Sequence, residues 1–180
     1  VSNQDIYFQK LLDQYKPQLP PAIDAESNNG QGAKLITSTL KEMVYGFSDF
    51  ARPPLIYTRA SWFNVNVLSD PLWGQCDLWA SRFNSGLVSP WSDGSYKFRD
   101  WTDWRFWQKS GDGNNLAAQY GFPGYPEGDR DMDLNIFNGD EAAFRLWAGL
   151  EPPKPTVEGR LAELERIASD HERRLLNLGG

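Results

Sequence analysis

The 180-residue chain is poor in reactive side chains: it has one cysteine, one histidine and two methionines. A lone cysteine cannot form a disulfide within the chain. Cys76 stands between Gln75 and Asp77, and the single histidine, His171, is far from it in the sequence. Cys76 therefore reads as a passive residue, because a thiol nucleophile needs a base or a cation to activate it. No apolar run approaches the roughly 20 residues that cross a bilayer, so no membrane partner is expected. Lysine and arginine number 18 against 24 aspartates and glutamates, giving a net charge of −6. No basic stripe is present, which argues against nucleic acid as a partner. Neither a cofactor nor a bound metal is expected. The N-terminus has no apolar h-region and so is not a signal peptide. Val1 is not methionine, Ser2 reads as a helix cap, and the chain is expected to begin partway through a domain.

Aromatic residues, by contrast, are plentiful. They make up 14% of the chain, with eight tryptophans. That load argues against disorder over most of the chain. Aromatic rings stack on the apolar faces of sugars, but most large aromatics fill cores, and most of the eight are expected to do so.

The apolar spacing predicts a helix over residues 2–16, ended by Lys16-Pro17-Gln18-Leu19-Pro20-Pro21. Residues 22–26 read as a short strand ending in carboxylates, 27–32 as a polar loop and 33–50 as a helix. Residues 54–58 read as a second strand, with a short helix over 61–68. Residues 77–83 and 104–109 read as the third and fourth strands, separated by a long loop, and 131–135 as the fifth. Strands alternating with helices predict a parallel β/α architecture whose later connections are loops. The polar residues gather at the strand ends, where a β/α barrel places its active site. Residues 150–156, with three prolines, read as a linker. Val157, Leu161, Leu164, Ala168, His171, Leu175 and Leu178 follow a strict 4-3 spacing. That spacing predicts a coiled-coil helix over 157–178 of about three heptads, and through it a possible homo-oligomer.

Asp24 and Glu26 are two positions apart on a predicted strand, so their side chains share a face with Cα atoms roughly 6–7 Å apart. Same-face carboxylates repel, and strands disfavour aspartate. That cost suggests acid catalysis with a raised pKa; the alternative is that the strand has ended and both acids are solvated. Asp129, Asp131, Asp133 and Asn135 also alternate. A calcium loop would need glycine where Leu134 stands and a bidentate glutamate where Asp140 stands, so a strand ending with carboxylates in a cleft fits better.

Five segments, in order, resemble those of family 25 glycoside hydrolases, the lysozyme-type muramidases. Leu19-Pro20-Pro21-Ala22-Ile23-Asp24-Ala25-Glu26 is similar to the stretch with the Asp-x-Glu pair. Pro54-Leu55-Ile56-Tyr57-Thr58 and Leu78-Trp79-Ala80 are similar to the next two strands. Trp104-x-Phe106-Trp107-Gln108 resembles the tryptophan-glutamine strand, and Met132-Asp133-Leu134-Asn135-x-Phe137-Asn138-Gly139 the closing strand. The resemblance covers about residues 1–140, as the C-terminal part of the catalytic domain. It implies an incomplete TIM-like β/α barrel of about five strands over 1–149, since the family's barrel has eight. It implies Glu26 as proton donor, with Asp24 and Asp133 completing an acidic floor. Tyr57, Trp79, Trp107 and Gln108 would line the cleft. Phe83 stands where the family often carries a polar-tipped aromatic.

The implied reaction is hydrolysis of the bond between N-acetylmuramic acid and N-acetylglucosamine in peptidoglycan glycan strands, outside the cell or in the cell wall. The acetamide could assist the reaction, with Asp24 orienting it; a water-attack, inverting route is the alternative. Two other classes stay open at this point: a non-catalytic wall-binding fragment, and an assembly protein that uses the coil.

Overall fold

A computed structural model of the chain describes residues 3–47, 52–83, 86–111 and 133–150, together with 161, 165, 166 and 169. The described chain forms two compact units, Val1–Asp140 and Glu141–Gly180.

The first unit is built on one five-stranded sheet in the order β1-β2-β3-β4-β5. The strands are β1 (Ala22–Asp24), β2 (Leu55–Thr58), β3 (Leu78–Ser81), β4 (Phe106–Ser110) and β5 (Leu134–Phe137). The first four run parallel. The fifth runs antiparallel to β4, with a register irregularity between Gln108 and Ser110. The antiparallel β5 departs from the expected parallel β/α pattern. β5 also begins three residues later than the expected 131. Helices α1 (Asn3–Tyr15), α2 (Ala33–Gly46) and α3 (Ala60–Asn66) accompany the early strands. Among its described residues the long β3–β4 connection carries no helix, as its Ser, Gly and Asp content predicts.

Period-2 alternation sorts the sheet into two faces. Ile23, Ile56, Leu78, Ala80 and Trp107 occupy one, and all are buried. They form the core with Leu12 of α1, Leu40 and Val44 of α2, Trp62 and Phe63 of α3, and Trp73, Trp101 and Trp104 from the connections. Trp73 and Trp107 are completely buried, each removing roughly 200 Å² from water, or about 5 kcal/mol of transfer free energy per ring. Their indole N–H groups donate to Leu68 O at 2.9 Å and Arg82 O at 2.7 Å, which removes the penalty of burying an unpaired donor. Tryptophan is thus mainly the filler of this core, as expected for most of the eight.

In the second unit, α4 (Glu141–Ala148) follows Asp140 and ends at Gly149, whose φ is +69°. Gly149 N donates to Leu146 O and Leu150 N to Arg145 O, a closure that glycine permits because a Cβ disfavours that backbone conformation. The sequence reading gave no helix here, although an acidic start and a terminal glycine mark one. The expected linker and most of the coiled-coil seam lie outside the described residues. Residues 161, 165, 166 and 169 are helical, and Leu161 is exposed.

Candidate functional site

The carboxyl end of the parallel strands gathers the polar residues. β1 ends at Asp24, and the chain stays zipped to β2 for one more residue: Ala25 N donates to Tyr57 O at 2.9 Å, and Thr58 Oγ1 donates to Ala25 O at 2.6 Å. The extended backbone therefore continues to Glu26. Asp24 is exposed, Ala25 buried and Glu26 half-buried, the alternation expected when the two acids share a face. Because β5 is antiparallel, its amino end lies at this same end of the sheet. Asp133, the residue before β5, thus comes to the end that holds Asp24 and Glu26.

Side chains on that face follow the register. Asp24 pairs with Tyr57, Tyr57 with Trp79, Trp79 with Phe106, and Phe106 with Phe137. The row above it pairs Ser81 with Gln108 and Gln108 with Asn135. The Tyr57 and Trp79 rings meet edge-on with centroids 5.4 Å apart, and Trp79 and Phe106 follow at 5.7 Å. Tyr57 Oη is hydrogen-bonded to Ser81 Oγ at 3.1 Å and to Gln108 Oε1. Trp79 Nε1 donates to Asn135 Oδ1 at 2.7 Å. Gln108 and Ser81 are buried polar groups, and Tyr57 satisfies both.

The electrostatics converge on the same point. Burial pushes the Glu26 carboxyl above its ordinary pKa and the negative charge of Asp24 pushes it further, while Arg59 opposes them. The Tyr57 phenol is raised chiefly by burial, against the lowering effect of its Ser81 bond, and then by Glu26, Asp24 and Asp133. Three carboxylates from two strands thus act on one phenol. A carboxyl whose pKa is raised beside a second carboxyl is the arrangement that proton donation calls for.

Of the residues expected at the site, the structure brings Asp24, Glu26, Tyr57, Trp79, Gln108 and Asp133 to one face and one end of the sheet. Trp107 is not with them. Strand parity turns it to the opposite face, where it is wholly buried against Trp104, so the expectation that it lines the cleft is corrected. Phe83, two residues past Ser81, is half exposed, and its ring lies directly over Gly111. A Cβ at Gly111 would stand 2.4 Å from the Phe83 ring tip, so glycine makes room for the ring. Asp129 and Asp131 lie outside the described residues. Ser81, Asn135 and Arg59 were missed as site residues. Alternation from Trp79 points to Ser81, from Asp133 to Asn135 and from Tyr57 to Arg59.

Solved structures with this architecture are known. A muramidase from Acremonium alcalophilum is 25% identical with a TM-score of 0.52, over 72% of this chain and 56% of that one. A family 25 lysozyme from Aspergillus fumigatus is 23% identical with a TM-score of 0.53, over the same shares. A family 25 glycosyl hydrolase from Bacillus anthracis is 22% identical with a TM-score of 0.50, over 72% and 54%. The chain thus spans little more than half the length of the structures it matches. No significant match to a curated protein was found. The model of glycosyl hydrolases family 25 matches residues 2–116, most of the chain and all of the first four strands, and the chain belongs to that family.

Proposed function

We propose that the chain serves peptidoglycan hydrolysis, cleaving the β-1,4 bond between N-acetylmuramic acid and N-acetylglucosamine outside the cell or in the cell wall. The observation that carries this reading is the convergence of Asp24, Glu26 and Asp133 on the Tyr57 phenol at the carboxyl end of a family 25 sheet. Glu26 donates its proton to the leaving glycosidic oxygen; its raised pKa keeps that proton available. Asp24 orients the 2-acetamido group, whose carbonyl oxygen attacks the anomeric carbon as the glycosidic bond breaks. The resulting oxazolinium cation is stabilised by Asp24 and, from β5, by Asp133. Water then opens it, returning a proton to Glu26. Tyr57, Trp79 and Gln108 line the floor: the bonded Tyr57–Gln108 pair fixes hydrogen-bonding groups, and Trp79 offers a ring face to a sugar. In the competing inverting route, Asp24 or Asp133 acts as base on a water.

The test is reducing-end release from purified cell walls, with a pull-down on insoluble walls run alongside. Glu26→Gln keeps the shape but has no proton to give, and should cut turnover by about 10²- to 10⁴-fold while wall binding persists. Asp24→Asn should be as severe, and Asp133→Asn milder. Wall binding by the unaltered chain without any turnover would instead support a non-catalytic wall-binding role. Near-normal turnover by folded Glu26→Gln would remove Glu26 as the acid.

A further inference from the structure

The rim of the acidic floor carries a cation that the reaction as proposed does not use. Arg59 follows β2 with an extended backbone, φ −111° and ψ 143°, so alternation from Tyr57 sets it on the same face as the candidate site. Its carbonyl and the amide that follows it are both held. Trp62 N and Phe63 N donate to Arg59 O at 3.1 and 2.9 Å. The next residue's amide, Ala60 N, donates to Tyr96 Oη at 2.9 Å, and Tyr96 Oη donates to Ser81 O at 2.5 Å.

The guanidinium is a different matter. Arg59 is exposed, and among the described residues its head has no hydrogen-bond or ion-pair partner. Arg82, Arg99, Arg105 and Arg145 are each fixed on an aspartate or glutamate. Arg59 nevertheless stands close enough to act electrostatically on both Glu26 and Tyr96. It therefore sits beside a carboxyl without closing on it, on a rigid backbone, with its five donors available. A floor of three carboxyl groups repels any substrate that carries its own carboxylates, and a fork-shaped cation at the rim reverses that locally.

We propose that Arg59 is a carboxylate-recognition residue of this site, selecting glycan that bears acidic substituents over neutral glycan of the same backbone. The inference rests on the glycan-hydrolase reading and names the substrate class within it. In muramic-acid glycan the carboxylate has two possible sources: the free lactyl group, or the acidic residues of an attached stem peptide. Both present the same group to Arg59.

The test measures binding of three soluble glycans of equal length to the full chain carrying Glu26→Gln, which slows turnover enough for binding to be read. One glycan has free lactyl carboxylates, one has them capped as methylamides, and one carries stem peptides. Arg59 should favour at least one acidic form by about tenfold over the capped form, and the preference should weaken with salt. Whichever acidic form is favoured identifies the source. Arg59→Gln should abolish the preference, lowering affinity for the acidic forms far more than for the capped glycan, and Arg59→Lys should restore part of it. Equal loss on all three glycans, or no preference with Arg59 in place, overturns the proposal. So does an Arg59→Gln chain that shifts only the pH profile of turnover, which would make Arg59 a tuner of Glu26. Binding of none of the three glycans would remove the underlying glycan reading, a result distinct from the other failures.

Discussion

The indole N–H of Trp79 on β3 donates to Asn135 Oδ1 on β5 at 2.7 Å, although β4 lies between the two strands in the sheet. The bond crosses the face above Phe106, whose ring packs on both Trp79 and Phe137. It fixes the orientation of a half-buried aromatic ring, which is what a sugar platform requires. It also tethers the antiparallel strand that brings Asp133 to the site. Asn135→Leu keeps the volume and removes the acceptor. We expect a several-fold rise in KM for soluble glycan with kcat little changed, and about 1 kcal/mol lost in denaturant unfolding. Unchanged KM and unchanged stability together would show that the bond orients nothing.

The Tyr57–Gln108 contact should behave as a coupled pair. Tyr57→Phe removes one hydroxyl and strands the buried Gln108 amide and Ser81 hydroxyl, costing about 1–3 kcal/mol. Gln108→Leu in that background removes one of the stranded groups, so the double variant should be more stable than the sum of the single losses. A double-mutant cycle by chemical denaturation measures the difference. Strict additivity would mean that the two groups do not depend on each other.

Much of this arrangement is legible in the sequence because β-alternation is simple. Asp24 with Glu26, and Tyr57 with Trp79, follow from strand identity and the period of two. Trp107 was misplaced because neighbouring Trp107 and Gln108 cannot both face one cleft, and the motif alone does not say which one does. The antiparallel turn of β5 left no local mark, since strand direction depends on where the preceding 112–132 segment returns the chain. Ser81, Asn135 and Arg59 are ordinary polar residues; cross-strand register singles out the first two, and the extended backbone just past β2 the third. Helix α4 was readable from Asp140 and Gly149, but the apolar stretch it carries is short.

The ionisation of Glu26 gives a pH prediction for both activity and stability. Burial and Asp24 raise its folded pKa against the opposing pull of Arg59, and Tyr57 faces it as well. A group whose folded pKa is raised contributes stability that is fully present below the unfolded value and lost as pH rises through the folded one. Glu26→Gln should therefore gain stability relative to the parent as pH rises through that window. Turnover of the parent should fall over the same window, because the proton donor is lost. Thermal melts and initial rates between about pH 4 and 8 check both trends. A parent whose turnover rises through that window would exclude Glu26 as the donor.

The 157–178 segment is proposed to self-associate through the 4-3 seam. Three heptads make a marginal lone helix, so association should raise the helicity of residues 150–180. Placing His171 on the seam opposes its protonation, since a charge there would be desolvated and repelled by its partner. Sedimentation of the isolated segment at pH 8 and pH 5 should show loss of association at the lower value. A monomer at high concentration at pH 8 would end the idea.

The β3–β4 loop supplies the last prediction, because one arginine gathers it. Arg82, the residue after β3, sends Nη1 and Nη2 to the two Asp93 oxygens at 3.1 and 2.6 Å. Nη1 also donates to Pro90 O at 2.7 Å, and the guanidinium lies 4.7 Å from the Tyr96 ring centroid. Tyr96 in turn bonds Ser81 O and Ala60 N, so the clamp connects the loop to the strand ends beside Tyr57. Burial raises the Tyr96 phenol to about 12, which keeps it protonated and able to donate. Hydrogen bonding to Arg82 holds the Asp93 carboxyl well below the usual range. A depressed carboxylate contributes stability that is present above its unfolded pKa and lost as pH falls through the folded one. The loop should therefore loosen only in strong acid. Arg82→Lys retains the charge but cannot bridge both oxygens. We expect faster hydrogen exchange and faster proteolytic cleavage confined to residues 86–98, and a rise in KM exceeding any change in kcat. Asp93→Asn should reproduce the loop opening with Arg82 intact. Unchanged exchange in both variants would show that the loop is held by its apolar contacts, Phe98 with Trp91 and Trp101, and not by the clamp.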